Sequence, residues 1–171
     1  RPASVETREE LGHWEGDTVI GAHHKQAIVT LVERMTGLTL IAKVERKTAE
    51  LVRKACIELL TPFKEHVHTI TFDNGKEFAF HELVAKQLQV DVYFAHPYHS
   101  WERGLNENTN GLLRQYFPKK TNFKKVTEQE LQAAIFMLNH RPRKCLGYKT
   151  PYEVFHNLDI LPLKSIFGCT S

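Results

Sequence analysis

Three carboxylates, Asp17, Asp73 and Glu107, are the residues of this 171-residue chain whose types and placement could do chemistry. Asp17 lies in a stretch with Trp14, Val19 and Ile20 that reads as buried. An unpaired carboxylate is expensive there, so Asp17 needs a partner or a cation that its neighbours do not supply. Asp73 closes an apolar run directly before Asn74-Gly75 and, taken alone, is part of a plain turn. Glu107 is followed by Asn110, Gly111 and Arg114 at i+3, i+4 and i+7, one helical face that by itself reads as solvated. Together, two strand-borne acids and one helix-borne acid offer the hard oxygen ligands that magnesium, or manganese in its place, prefers. Two such ions about 3.5 to 4 Å apart serve both the attacking and the leaving oxygen of a phosphate displacement, which needs no nucleophilic Ser, Cys or Tyr.

The elements that must position these acids follow from periodicity and punctuation. His13 to Gly21, Ala27 to Arg34 and Leu38 to Val44 are rich in β-branched residues and separated by turn signals, which predicts an antiparallel meander. Thr48 can cap a helix carrying Val52, Ala55, Cys56, Leu59 and Leu60 at helical spacing, stopped by Pro62. His68 to Phe72 is a short buried strand, and an amphipathic stretch with Phe78, Leu83, Val84 and Leu88 leads to a strand over Val90 to Phe94. A helix is expected from about Trp101 to Tyr116, and Thr127 with Glu130 forms a capping box opening another that stops at Arg141-Pro142. Thr150-Pro151 with Glu153 repeats the start signal. The order βββαβαβαα predicts an α/β fold, a mixed sheet covered by helices, with ligands favouring the ends of its central strands.

Composition narrows the function classes. No run of 18 apolar residues occurs and the N-terminus lacks a secretory core, which points away from membrane and export roles. Cys56, Cys145 and Cys169 are scattered without a CxxC pair, and the ten histidines lack cysteine partners at zinc-finger spacing, so an intracellular, cytoplasmic protein without a thiolate zinc site is expected. Residues 1 to 102 carry 12 Lys/Arg against 15 Asp/Glu, whereas residues 103 to 149 carry 10 against 3. Such a local basic block suits a surface that meets phosphate. Lys119, Lys120, Lys124 and Lys125 surround Phe117 and Phe123, a mix suited to phosphate contact with some stacking, or to a solvated loop.

Four ordered blocks sharpen this picture. They are Gly12 to Gly21 around Asp17, Thr71 to Phe78 around Asp73, Pro97 to Arg114 around Glu107, and His140-Arg-Pro to Thr150-Pro151, with 33 residues between Asp73 and Glu107. In these blocks and that interval, over almost the entire chain, the sequence resembles the bacterial DDE transposases of the branch typified by insertion sequence thirty, with retroviral integrases as distant relatives. The resemblance implies a ribonuclease H-like fold: a five-stranded mixed sheet, antiparallel meander plus two parallel strands, with the acids on the first strand, after the fourth and on a late helix. It implies that Asp17, Asp73 and Glu107 bind two magnesium ions and catalyse cleavage of element ends and their transfer to target DNA, by an oligomer of two or more protomers at the nucleoid. Arg114, Asn110, Arg103, Lys119 and Lys120 are the expected DNA contacts, and Trp101 and Asn106, beside Glu107, are expected to face substrate or, for Trp101, to anchor the core. Relatives also carry an N-terminal helix-turn-helix region that reads the element ends, so the chain is expected to be a fragment: a core over residues 1–160 and a tail over 161–171. A nuclease on the same fold would share the acids but not join strands, a DNA-binding or dimerisation module would lack catalysis, and a tyrosine recombinase would trap a covalent adduct.

Overall fold

A computed structural model describes residues 3–22, 25–96 and 104–157. Its centre is a five-stranded sheet in the order β3-β2-β1-β4-β5. The strands are β1 (His13–Ile20), β2 (Ala27–Glu33), β3 (Thr39–Val44), β4 (Thr69–Phe72) and β5 (Asp91–Phe94). β1, β2 and β3 form the antiparallel meander, whereas β4 joins β1 and β5 joins β4 in parallel. Parallel neighbours require crossovers, and the helices α2 (Ala49–Leu60) and α3 (His81–Leu88) supply them.

Strand alternation divides the side chains between two cores. On one face Trp14, Val29, Leu31, Ile70 and Phe72 pack with Val52, Cys56 and Leu60 of α2 and Val84 and Leu88 of α3. On the other, Val19, Ile28 and Ile41 pack with Leu113 of α4 (Gly104–Tyr116) and Leu131, Ala134 and Leu138 of α5 (Glu128–Asn139). Burying a leucine such as Leu113 completely is worth about 1.5–3 kcal/mol, so apolar packing holds α4 against the sheet.

The caps form as expected. Thr48 accepts from Leu51 N at the start of α2, and Thr127 and Glu130 make a reciprocal capping box at α5. Thr150 and Glu153 do the same for α6 (Pro151–Asn157). Pro62 ends α2 by opening a 3-10 segment over Thr61–His66.

Three readings change. A short helix α1 (Ala3–Thr7), which no sequence pattern announces, brings Glu6 to within 3.9 Å of Arg34. The stretch from Phe78 to Leu88 is split into a 3-10 turn over Lys76–Phe78 and α3, which leaves Leu83 exposed rather than in the core. Phe117 and Phe123 are buried in the second core, so they cannot stack on bases. Apolar area removed from water decides both aromatic positions, and the flanking lysines remain outside. Among the described residues no helix is long and apolar enough to cross a membrane.

Candidate metal centre

The last register pair between β1 and β4 is Gly16 with Phe72, so Asp17 and Asp73 are the next residues along two adjacent parallel strands. Neighbouring strands run about 4.8 Å apart, and alternation points both side chains to the face that α4 covers. Both acids are half-buried. Asp17 Oδ1 accepts from Thr18 N at 2.7 Å, and its Oδ2 accepts from Asn110 Nδ2 at 3.0 Å. Asp73 Oδ1 accepts from Gly75 N at 2.9 Å, while Asn74 Nδ2 donates to Ala95 O at 3.1 Å and secures the turn. Each carboxylate therefore has an oxygen oriented by a backbone amide, an arrangement that suits ligating carboxylates.

Gly75 has an ordinary φ of −67°, so the constraint there is space. A Cβ at that position would lie 2.3 Å from Glu77 Oε2 and 2.8 Å from Asp73 Oδ1. Glu77 thus closes on the same turn, and its Oε1 accepts from Thr18 Oγ1 at 3.0 Å and pairs with Lys47 Nζ. Burial alone would raise the Glu77 pKa, but the hydrogen bonds from Lys47, its own amide and Thr18 hold it below the usual value. Glu77 and Lys47 thereby link the Asp73 turn to the strand that carries Asp17. Sequence reasoning passed over both; the signal was an acid four residues after Asp73 inside an otherwise turn-forming block.

The helix α4 is placed on this face by polar as well as apolar contacts. Glu15, fully buried, pairs with the Arg34 guanidinium and accepts from Asn106 N at 2.9 Å. The Thr30 hydroxyl lies 3.0 Å from the side-chain oxygens of both Asn106 and Asn110 and can donate to one at a time. Nearby, the buried Glu33 carboxylate, its pKa pushed up by burial, accepts from the amides of Gly12, Met35 and Thr36. Alternation along β1 puts Glu15 on the same face as Asp17, a signal that the sequence carries.

Glu107 occupies the first turn of α4, exposed, on the face it shares with Asn110. Among the described residues no three His, Cys, Asp or Glu side chains gather closely enough to hold one ion. The structure brings Asp17 and Asp73 together and leaves Glu107 outside the pair. Two hard carboxylates with oriented oxygens fit a magnesium ion, with Glu107 the one acid on the α4 face that overlies them.

The expected DNA contacts divide. Lys119 and Lys120 are exposed after α4. Asn110 is engaged with Asp17 and Thr30. Arg114 donates to Ile20 O at 2.8 Å and to Phe117 O and Pro118 O at the end of its helix, and burial lowers its pKa. It clamps α4 to β1 rather than standing as a solvated arginine. Asn106 is fully buried and cannot face a substrate. Arg103 and Trp101 lie outside the described residues.

A family model described as the integrase core domain matches residues 7–100, more than half of the chain. The transposase for insertion sequence element IS4351 of Bacteroides fragilis is 50% identical over 158 residues, covering 92% of this chain and 48% of that protein. Transposase InsI for insertion sequence element IS30A of Escherichia coli (strain K12) is 41% identical over 155 residues, covering 90% of this chain and 40% of that protein. The chain thus spans less than half the length of these relatives. The catalytic core domain of BIV integrase superposes with a TM-score of 0.68 at 25% identity, covering 86% of this chain and 95% of that one. A chain of the simian T-cell lymphotropic virus intasome in complex with PP2A regulatory subunit B56 gamma shares the fold, with a TM-score of 0.72 at 20% identity over 95% of this chain and 60% of that one. The architecture is the ribonuclease H-like one expected from the sequence.

Proposed function

The chain belongs to the integrase core domain family, and we propose that it carries the catalytic centre of a DNA transposase, with Asp17, Asp73 and Glu107 as its metal-holding acids. The observation that carries this reading is the placement of Asp17, inside β1, beside Asp73, directly after the parallel strand β4, each with an oxygen held by a backbone amide. Asp17, Asp73 and Glu107 would hold two divalent ions, magnesium or manganese, which when bound would supply activation of the attacking oxygen and charge stabilisation of the leaving one.

The chain's own residues do the positioning. Thr18 N and Asn110 hold Asp17, and Gly75 N holds Asp73. Glu107 stands exposed on α4, where it would supply the third carboxylate. Lys119 and Lys120, with Arg103, would neutralise backbone phosphates, while Arg114 keeps α4 in register with β1. Water first cleaves a phosphodiester at an element end and releases a 3′-hydroxyl. That hydroxyl attacks a target phosphodiester, one P–O bond forming as another breaks. Two protomers or more would bring two ends to one target at the bacterial nucleoid. Residues 1–160 would form the catalytic unit and 161–171 a tail.

The test is calorimetric titration of magnesium and manganese into the protein and into Asp73→Asn, paired with a strand-transfer assay on precleaved ends. Loss of metal binding and of joining in the variant is expected. Unchanged binding and joining would defeat the assignment, and hydrolysis without joining in the parent protein would favour a nuclease.

A further inference from the structure

The sequence placed its basic excess after residue 102, yet a basic concavity draws mainly on residues before it. A cleft of about 710 Å³ lies where the segment leading into β2 meets the end of β3, lined by Lys25, Lys43, Arg46, Lys47 and Lys124, with Glu45 as its acid. Two of these cations are engaged: Lys43 Nζ donates to Val126 O at 2.7 Å, and Lys47 pairs with Glu77. Lys25, Arg46 and Lys124 are exposed and make no ion pair among the described residues.

The register ties this cleft to the carboxylates. Ile20 pairs with Ala27 and Ala27 with Val44, so the cleft opens at the sheet end toward which β1 runs after Asp17. Three strand residues from Asp17 to Ile20 span about 10 Å. Lys47 forms part of the cleft wall while its ammonium reaches Glu77, which borders the Asp73 turn.

We propose that this cleft is a docking groove for the sugar-phosphate backbone of duplex DNA, at a place separate from the acids themselves. The proposal rests on the transposase reading for the identity of the polyanion. With phosphates advancing about 3.4 Å along the axis per nucleotide of one strand, a strand held at the acids reaches the groove about three nucleotides away. Lys25, Arg46 and Lys124 take phosphate charge there, and Lys43 and Lys47 shape the walls.

The experiment measures duplex DNA affinity by fluorescence anisotropy over a salt series without divalent ion, for the parent protein, Lys25→Gln, Arg46→Gln, Lys124→Gln and the triple variant. Each neutralised phosphate contributes about 0.9 to the slope of log affinity against log salt, so the triple variant is expected to lose about 2.7 and each single variant about 0.9. Lys86→Gln, equally exposed on α3, is the control and is expected to leave the slope unchanged. Parent-like slopes in the groove variants, or an equal loss in Lys86→Gln, would overturn the groove. Should the triple variant melt early, the three single variants decide on the same criterion. Because binding is read without metal, a parent protein that fails to join strands while the groove variants lose slope refutes the transposase reading alone. Joining with unchanged slopes refutes the groove alone.

Discussion

The two strand-borne acids and the helix-borne acid are held by different physics. Asp17 and Asp73 follow directly on the Gly16–Phe72 register pair, so the ladder that sets the strands also sets the acids. Shifting either by one residue would turn every side chain of its strand to the other face. Glu107 depends instead on where a whole helix lies, and that is decided by Leu113, Asn106, Arg114 and the Glu15–Arg34 pair. A carboxylate carried by a paired strand is preset by backbone pairing. One on a helix can be adjusted by everything that packs around it, and here Glu107 stands exposed, outside the Asp17–Asp73 pair.

The sharpest test of that difference replaces each acid in turn. Removing a ligand forfeits several kcal/mol of charge stabilisation, so Asp17→Asn and Glu107→Gln should each lower strand joining by about 1,000-fold. Calorimetry should separate them, with magnesium binding lost in Asp17→Asn and a first ion retained in Glu107→Gln. Equal loss of metal in both would erase the distinction between the strand pair and the helix acid.

Arg34→Met attacks the seat of the helix without touching the acids. It leaves Glu15 fully buried without its cation, at a cost of about 3–5 kcal/mol. For a chain of this size that lowers the melting midpoint by about 6–20 °C in a thermal scan. A change under about 1 kcal/mol in denaturant unfolding would show that the pair does not anchor α4.

Asn110→Ala bridges the two regions, because it removes the amide that α4 offers to Asp17. Magnesium affinity should fall by about 10–100-fold, as for other groups that orient a ligand, with a stability loss of about 1 kcal/mol. Unchanged affinity would mean that Asn110 does not orient Asp17 for the ion.

The smallest effect concerns pH. Burial lowers the pKa of His13, at the start of β1, below its ordinary 6.5. The unfolded chain therefore binds the proton more readily, so this contribution is present above pH 6.5 and is lost as pH falls through the folded-state value. The slope it adds is at most about 1.4 kcal/mol per pH unit. Denaturant midpoints between pH 6.5 and 5.5 should depend less on pH in His13→Gln, and an identical dependence would remove His13 from the account.

Features set by a few neighbouring residues are legible in the sequence. β-branched runs and the turn signals between them marked β1, β2 and β3, and Thr48, Thr127 and Thr150 marked three helix starts, because propensity and cap are properties of a few consecutive side chains. Leu83 is exposed although its spacing suits the buried face, because the helix begins late, after the turn at Phe78. Phe117 and Phe123 were open to stacking until the second core closed over them.

By itself, the sequence determined the family, the strand order within the meander, and the three acids worth testing, since these rest on local pattern and on the spacing of whole motifs. Tertiary structure alone decided that Asn110 reaches Asp17 across 93 residues, that Arg34 and Asn106 serve the buried Glu15, and that Glu77 with Lys47 binds the Asp73 turn to Thr18. The reason is that a buried polar group must find a partner wherever the fold supplies one, and sequence distance carries no cost once the sheet has formed.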